Sequence, residues 1–260
     1  MSTRTGICNF CGTGCGHLLD VDGGAVRGVF ASPDHPVSRG RLCVRGWHIH
    51  ELLTTRERIL APLVRRHGRL EPVSYEEAIA AAADGLGRHA GDEVACLASP
   101  RASNEDNHNL AKLARTVLGT PNIGLASDQG HGDAVDILLE GAGFPAMLGA
   151  LTEIRAAGLI LVVGGDIARL NPIVGSEIHR AARAGAELVT LSSRSTQIAK
   201  LSGRHLWTRP GGLRPALAAL AKILVERGWH DAAFLRDRAE GFDDFARALA
   251  GLDLAGLAAA

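Results

Sequence analysis

Polar and apolar residues alternate in two short stretches, His17-Leu18-Leu19-Asp20-Val21-Asp22 and Ala25-Val26-Arg27-Gly28-Val29-Phe30, on either side of Gly23-Gly24. A period of two around a glycine pair predicts a β-hairpin. Pro62 to Leu70 reads as a turn with short extended flanks. The pattern then becomes helical. Ser74 is placed as the N-cap of an alanine-rich helix from Glu76 to about His89, with Glu77 completing a capping box. Val94–Ala98 reads as a short buried strand, and Asn104–Leu118 as a helix with Leu110, Leu113, Ala114 and Val117 on its apolar face. From residue 151 strands and helices take turns. Leu159–Val163 is expected to be a fully buried strand running into the turn Gly164-Gly165-Asp166, followed by a helix from Ile173 to Ala184 that Gly185 ends. Glu187–Leu191 is the next strand, and Leu206-Trp207 begins a third extended piece ended by Pro210-Gly211-Gly212. Leu213–Arg227 is a long helix ended by Gly228, and Leu249–Ala260 a weak helix or frayed end. Strand–helix alternation with short loops predicts an α/β fold with a mainly parallel sheet covered by helices.

Composition narrows the function classes. The 260 residues suit one or two domains at roughly 150 residues each. Hydrophobic residues make up 46% and charged residues 22%, an ordinary globular mix. Lys+Arg and Asp+Glu number 28 each, so no excess positive charge is present to displace counterions from a nucleic acid. Aromatics, at 4%, are too few for base-stacking platforms. No stretch of about 18 apolar residues spans a membrane, and the opening residues contain neither a signal-peptide core nor a twin-Arg motif. Five cysteines, four of them before residue 44, do not form a secreted disulfide framework. A reducing cytoplasm and a metal site are expected. The chain divides at about residues 60 and 150 into three regions, 1–60, 61–150 and 151–260. The first is too small and glycine-rich to hold together by apolar burial, so a bound metal centre is expected to stabilise it.

The cysteines are spaced Cys8-x2-Cys11-x3-Cys15, then 27 residues to Cys43. Three thiolates on a tight glycine-containing loop converge on one small object, and the fourth arrives from a distant turn. A cubane iron–sulfur cluster asks for one thiolate per iron in this way. The loop glycines let the backbone approach the inorganic sulfides and donate N–H bonds. Arg39, Arg41 and Arg45 crowd Cys43 and offset the residual negative charge. The alternative is structural zinc, held by three cysteines plus His17, His48 or Cys43. Cys96 lies in an apolar strand and reads as core. His67, His89, His108, His179, His205 and His230 read as surface or satisfied core positions, and Trp47, Trp207 and Trp229 as packing residues.

The stretches Ile7–Cys15 and Gly40–Gly46 resemble the N-terminal iron–sulfur domain of the molybdopterin oxidoreductase family, the formate dehydrogenase branch in particular. The resemblance continues through Leu70–Ala78, Ala102–Asn107, Thr152–Ile154, Leu161–Asp166 and Arg209–Gly211. It implies a [4Fe-4S] cluster on Cys8, Cys11, Cys15 and Cys43, passing electrons between a molybdenum or tungsten pterin and partner subunits. It implies a cluster domain over 1–60, a partial second α/β domain over 61–150 and a Rossmann-like third α/β domain over 151–260. The family's C-terminal pterin-binding domain is expected to be absent from a chain this short. Arg45 falls where the family usually carries a lysine between cluster and pterin, which keeps the charge on a bulkier group.

Departures from the family pattern shape the functional expectation. The cysteine or selenocysteine metal ligand of formate dehydrogenases has no counterpart in Gly124–His131. Ser127 or Asp128 as an oxygen ligand, and His131 as a relic of the catalytic histidine, stand against a loop that merely keeps the fold. Ser192-Ser193-Arg194 replaces the aspartate that binds a guanine, and Leu213 replaces a second acid. Gly164, Gly165 and Asp166 form either a phosphate cradle or an ordinary strand-to-helix turn. The resulting expectation is an electron-transfer subunit with one cluster, working with other redox subunits. The alternatives are a catalytic formate dehydrogenase-like protein, whole or split, binding a Mo/W-bis-pterin guanine dinucleotide, and a structural subunit whose cluster stabilises the fold.

Overall fold

The computed structural model describes residues 2–126 and 131–259. The chain forms two compact units, Met1–Ala150 and Leu151–Ala260. In the first, β1 (Ser2–Ile7), β2 (Gly16–Asp22) and β3 (Ala25–Ala31) make an antiparallel sheet in that order. The expected hairpin is β2–β3. Gly23 and Gly24 take φ of 58° and 80°, the left-handed pair that a two-residue hairpin turn requires. β1 was not legible in its polar sequence. It exists because it pairs with β2 from Ser2↔Val21 to Ile7↔Gly16, and most of its residues remain exposed.

The chain continues through α1 (Val44–Trp47), a 3-10 turn at Ile49–Leu53 and a hairpin of β4 (Leu63–Arg66) with β5 (Arg69–Pro72). α2 (Tyr75–Leu86) starts on the expected cap, with Ser74 Oγ accepting from the Glu77 N–H at 3.1 Å. The Glu77 carboxylate turns to Arg66. β6 (Cys96–Ala98), α3 (Asn104–Thr116), β7 (Ile123–Leu125) and α4 (His131–Ala142) follow, with β6 parallel to β7. α3 carries a full capping box between Ser103 and Asp106. Its buried stripe is narrower than its sequence suggests. Ala114 is fully buried, whereas Val117, beyond the helix end, is 72% exposed.

The second unit opens with a 3-10 turn at Leu151–Ala156, then β8 (Leu159–Val163), α5 (Ile167–Leu170), α6 (Pro172–Arg183), β9 (Glu187–Ser192), α7 (Gln197–Leu201) and β10 (Arg204–Trp207). The three strands are parallel in the order β10-β9-β8, the sheet expected from the alternation. α8 (Leu213–Glu226), α9 (Ala232–Arg238), α10 (Phe242–Ala250) and α11 (Leu254–Ala259) complete it, so the tail is helical where fraying was one expectation. Ile178, Leu188 and Ile198 centre the core, with Ile160 and Val162 of β8 packed against them. β8 is not the fully buried strand its sequence suggests. Leu159, Leu161 and Val163 alternate with the packed pair and are exposed, because only one face of the sheet is covered at this edge strand. The tryptophans also differ from the packing role expected of them. Trp207 and Trp229 are exposed, one set edge-on against His205 and the other under Arg227. No helix among the described residues is long and apolar enough to cross a membrane.

Candidate metal centre

The cysteine loop leaves β1 and returns into β2. The Cys8 N–H donates to the Cys15 carbonyl at 2.8 Å and closes the loop, and the Gly14 N–H donates to the Cys11 carbonyl at 3.2 Å inside it. Gly14 has φ of 59°, which a side chain would strain. The Cys11 thiol donates to the Thr13 hydroxyl at 3.5 Å. Cys43 arrives separately as the residue that caps α1, its carbonyl accepting from the Trp47 N–H.

A buried serine holds the two segments together. Ser38 is fully buried, and its hydroxyl accepts from the Gly16 N–H at 3.1 Å while lying 3.4 Å from His35 Nδ1. The Arg41 Nε–H donates to the Ser38 carbonyl at 2.9 Å. Gly16 admits no side chain, since a Cβ there would sit 2.4 Å from the His35 ring. The spacing of the cysteines gave no signal for Ser38, because its role depends on two segments far apart in sequence.

The four thiols lie within electrostatic reach of one another. Burial pushes the Cys15 thiol up to about 11, and charge on Cys8, Cys11 and Cys43 adds to that effect. Burial also raises Cys8, against an opposing hydrogen bond from the Phe10 backbone. Cys43 goes the other way. Burial raises it, but hydrogen bonds from the Gly46 backbone and from the Arg45 side chain and backbone, with the charge of Arg45, outweigh burial and bring it below the usual thiol range. The Arg41 charge favours the Cys15 thiolate. Two of the three arginines noted in the sequence therefore act on the thiols, and Arg39 is exposed.

This arrangement suits a cluster that wants four thiolates, N–H donors to sulfur and compensating positive charge. The zinc alternative finds less support. Among the described residues no three His, Cys, Asp or Glu side chains gather closely enough to hold one metal ion. His17 is buried and its burial favours the neutral ring, while His48 Nδ1 lies 2.6 Å from Glu51. Cys96 is buried in β6, as expected of a core residue.

The second group of expected residues lies in the other unit. Gly164 has φ of 85° and spends its N–H on the Leu191 carbonyl at 2.9 Å, continuing the sheet ladder. Asp166 precedes α5, a single turn of helix, and its Oδ1 is buried without a partner among the described residues. Ser192 Oγ donates to the Arg194 carbonyl at 2.7 Å. Ser127 and Asp128 lie outside the described residues, and His131 is the exposed first residue of α4.

Comparison with known proteins divides the chain earlier, near residue 55. The family described as molybdopterin oxidoreductase matches residues 58–247, and the molybdopterin oxidoreductase Fe4S4 domain matches residues 1–54. The F420-dependent formate dehydrogenase 2 subunit alpha of Methanococcus maripaludis is 31% identical over 238 residues, covering 92% of this chain and 35% of that protein. Formate dehydrogenase H of Escherichia coli is 30% identical over 256 residues, covering 94% of this chain and 36% of that protein. The chain thus spans about a third of the length of these relatives. Acetylene hydratase from Pelobacter acetylenicus shares the fold, with a TM-score of 0.77 at 17% identity over 98% of this chain and 36% of that one. With its Fe4S4 domain and its formate dehydrogenase relatives along most of its length, the chain belongs to the molybdopterin oxidoreductase family.

Proposed function

We propose that Cys8, Cys11, Cys15 and Cys43 hold one [4Fe-4S] cluster and that the chain passes electrons within a larger formate dehydrogenase-like assembly. The observation that carries this reading is the nearness of the four thiols, close enough for charge on Cys11 and Cys43 to raise Cys8 and for charge on Cys8, Cys11 and Cys43 to raise Cys15, with Arg41 and Arg45 beside them. A bound cluster supplies one-electron chemistry. The chain's residues do the rest. Arg45 and the Gly46 N–H stabilise the Cys43 thiolate, and the Phe10 N–H does so for Cys8. Ser38 fixes the loop that presents three of the ligands. The cluster region is read as residues 1–60, a partial second domain as 61–150 and a Rossmann-like third as 151–260.

Chemistry on the substrate belongs to a partner on this reading, because no cysteine stands in Gly124–His131 to ligate molybdenum or tungsten. The partners are other redox subunits, a reading supported by two relatives that are each named a subunit alpha. A second reading, a catalytic formate dehydrogenase-like protein whole or split, is favoured by identity that runs over 92% of the chain.

Iron and acid-labile sulfide analysis of anaerobically purified protein tests the first reading, together with an EPR spectrum after dithionite reduction. Equal iron and sulfide with a reduced-cluster signal is expected. Stoichiometric zinc without iron overturns it. Molybdenum or tungsten with extractable pterin in the same sample would move the assignment to the second reading.

A further inference from the structure

The cysteine loop is fastened at both ends. Where it returns into β2, Ser38 takes the Gly16 N–H. Where it leaves β1, the fastening is Asn9, whose side-chain amide donates to the Arg101 carbonyl at 3.1 Å, across 92 residues of sequence. Arg101 lies in the turn between β6 and α3. That turn is itself braced. The Arg101 N–H donates to the Ser99 hydroxyl at 3.2 Å, and the Ala102 N–H donates to the Ser99 carbonyl at 3.1 Å. Asn107, half-buried in α3, grips the Ser99 backbone twice. Its Oδ1 accepts from the Ser99 N–H at 3.3 Å, and its Nδ2 donates to the Ser99 carbonyl at 3.0 Å. Two bonds from one side chain to one residue fix the orientation of the turn as well as its distance from α3.

Asn9 stands between Cys8 and Phe10, and the Phe10 N–H is hydrogen-bonded to the Cys8 sulfur. That N–H belongs to the planar peptide joining residues 9 and 10, so its direction follows the backbone angles of Asn9. A side chain tied to a braced turn restricts those angles. N–H donors to a ligand sulfur favour the reduced cluster, which carries the extra negative charge, and so raise its reduction potential.

We propose that Asn9 is a positioning residue: tied to the β6–α3 turn that Asn107 braces, it holds the Phe10 N–H on Cys8 and raises the reduction potential of the cluster. The redox part rests on the cluster reading. The fastening itself rests on hydrogen bonds that involve no metal.

The test is an EPR-monitored redox titration of the anaerobically purified full chain. The wild type is compared with Asn9→Ala, Asn107→Ala, the double variant and Asn109→Ala. Asn109 is an exposed neutral residue of α3 and serves as the control. None of these changes adds charge near the thiols. Equal iron and sulfide with unchanged far-UV circular dichroism establish that each variant folds and loads. In Asn9→Ala the midpoint is expected to fall, so that at the wild-type midpoint the ratio of reduced to oxidised cluster drops about threefold, the weight of one weakened hydrogen bond. Asn107→Ala should move it the same way. The double variant should move it no further than Asn9→Ala alone, because both act through one connection. Asn109→Ala should leave it in place. A wild-type midpoint in loaded Asn9→Ala overturns the proposal, and so do additive shifts in the double variant. Hydrogen exchange of residues 8–15 in the metal-free chain decides the fastening without a cluster. Faster exchange in both Asn9→Ala and Asn107→Ala is expected, and unchanged exchange overturns it. A wild-type chain without iron and sulfide overturns the cluster reading and the redox part with it, and the exchange result then stands by itself.

Discussion

Arg155 and Glu177 join the 3-10 turn that precedes β8 to the middle of α6. Arg155 Nε lies 2.5 Å from Oε2 and Nη2 lies 3.2 Å from Oε1, on a glutamate that is 1% exposed. The bidentate pairing gives a buried carboxylate two charge-assisted bonds. Arg180 stands farther away, at 3.8 Å. Removing the arginine takes two charge-assisted bonds from a carboxylate that is itself buried, although the arginine is half exposed. Arg155→Ala is expected to cost about 2 kcal/mol of stability, and Arg180→Ala less than about 1 kcal/mol. Urea denaturation of the two variants measures the difference. Equal losses would show that Arg155 carries no special weight.

The metal-free thiols should react in a definite order. Thiolate is the reactive form, so Cys43, held below the usual thiol range, alkylates before Cys15, which is pushed up to about 11. Iodoacetamide labelling at neutral pH with peptide mass spectrometry reads the order. A raised folded-state value also links to stability. The Cys15 proton favours the fold at pH below the ordinary thiol value of 9.0, and this contribution is lost as pH rises through 9.0 to about 11. Denaturation of the metal-free protein across that range is expected to show falling stability, less so in Cys15→Ala.

Ser38 should matter more than a serine usually does. Ser38→Ala leaves the buried Gly16 N–H without its acceptor, at a cost of about 1–3 kcal/mol. Gly16→Ala forces the His35 ring aside. Both changes are expected to loosen the loop that carries Cys8, Cys11 and Cys15 and to speed iron release to a chelator. Release at the wild-type rate in both variants would remove Ser38 and Gly16 from the account of the site.

Lys222 is buried in α8, and its ammonium donates to the carbonyls of Leu249 at 3.1 Å and Ala250 at 2.8 Å, closing the end of α10. It also pairs with Glu226 at 2.7 Å. Cations at helix carboxyl ends satisfy orphan carbonyls and the dipole together. Lys222→Met keeps the stem and deletes the donor. Hydrogen exchange over residues 242–250 should then rise by about tenfold, the equivalent of one lost charged hydrogen bond.

Much of the fold was readable because local rules and tertiary structure agree. Gly23-Gly24, Ser74 and the Gly185 and Gly228 helix ends fall where their chemistry puts them. Readings failed where partners far apart in sequence decide the outcome. The polar β1 is a strand because β2 recruits it, and α4, which no strong apolar periodicity announced, follows from context. The run Leu159–Val163 looks the same in sequence whether one face of a sheet is covered or both. At the candidate metal centre, spacing alone singled out the four cysteines as one group. Their unequal environments were not legible, because the difference between Cys15 and Cys43 comes from burial and from which N–H groups and arginines face each sulfur.

The outward row Leu159, Leu161 and Val163 lies on a strand that pairs on one side alone among the described residues and carries no charge along its length. Natural edge strands are usually blunted by lysine, proline or a bulge, and this one is not. Protein handled at high concentration will therefore offer an unguarded seam for other extended chains. Low concentration and a charged residue placed at Leu161 become the practical means of keeping it dispersed.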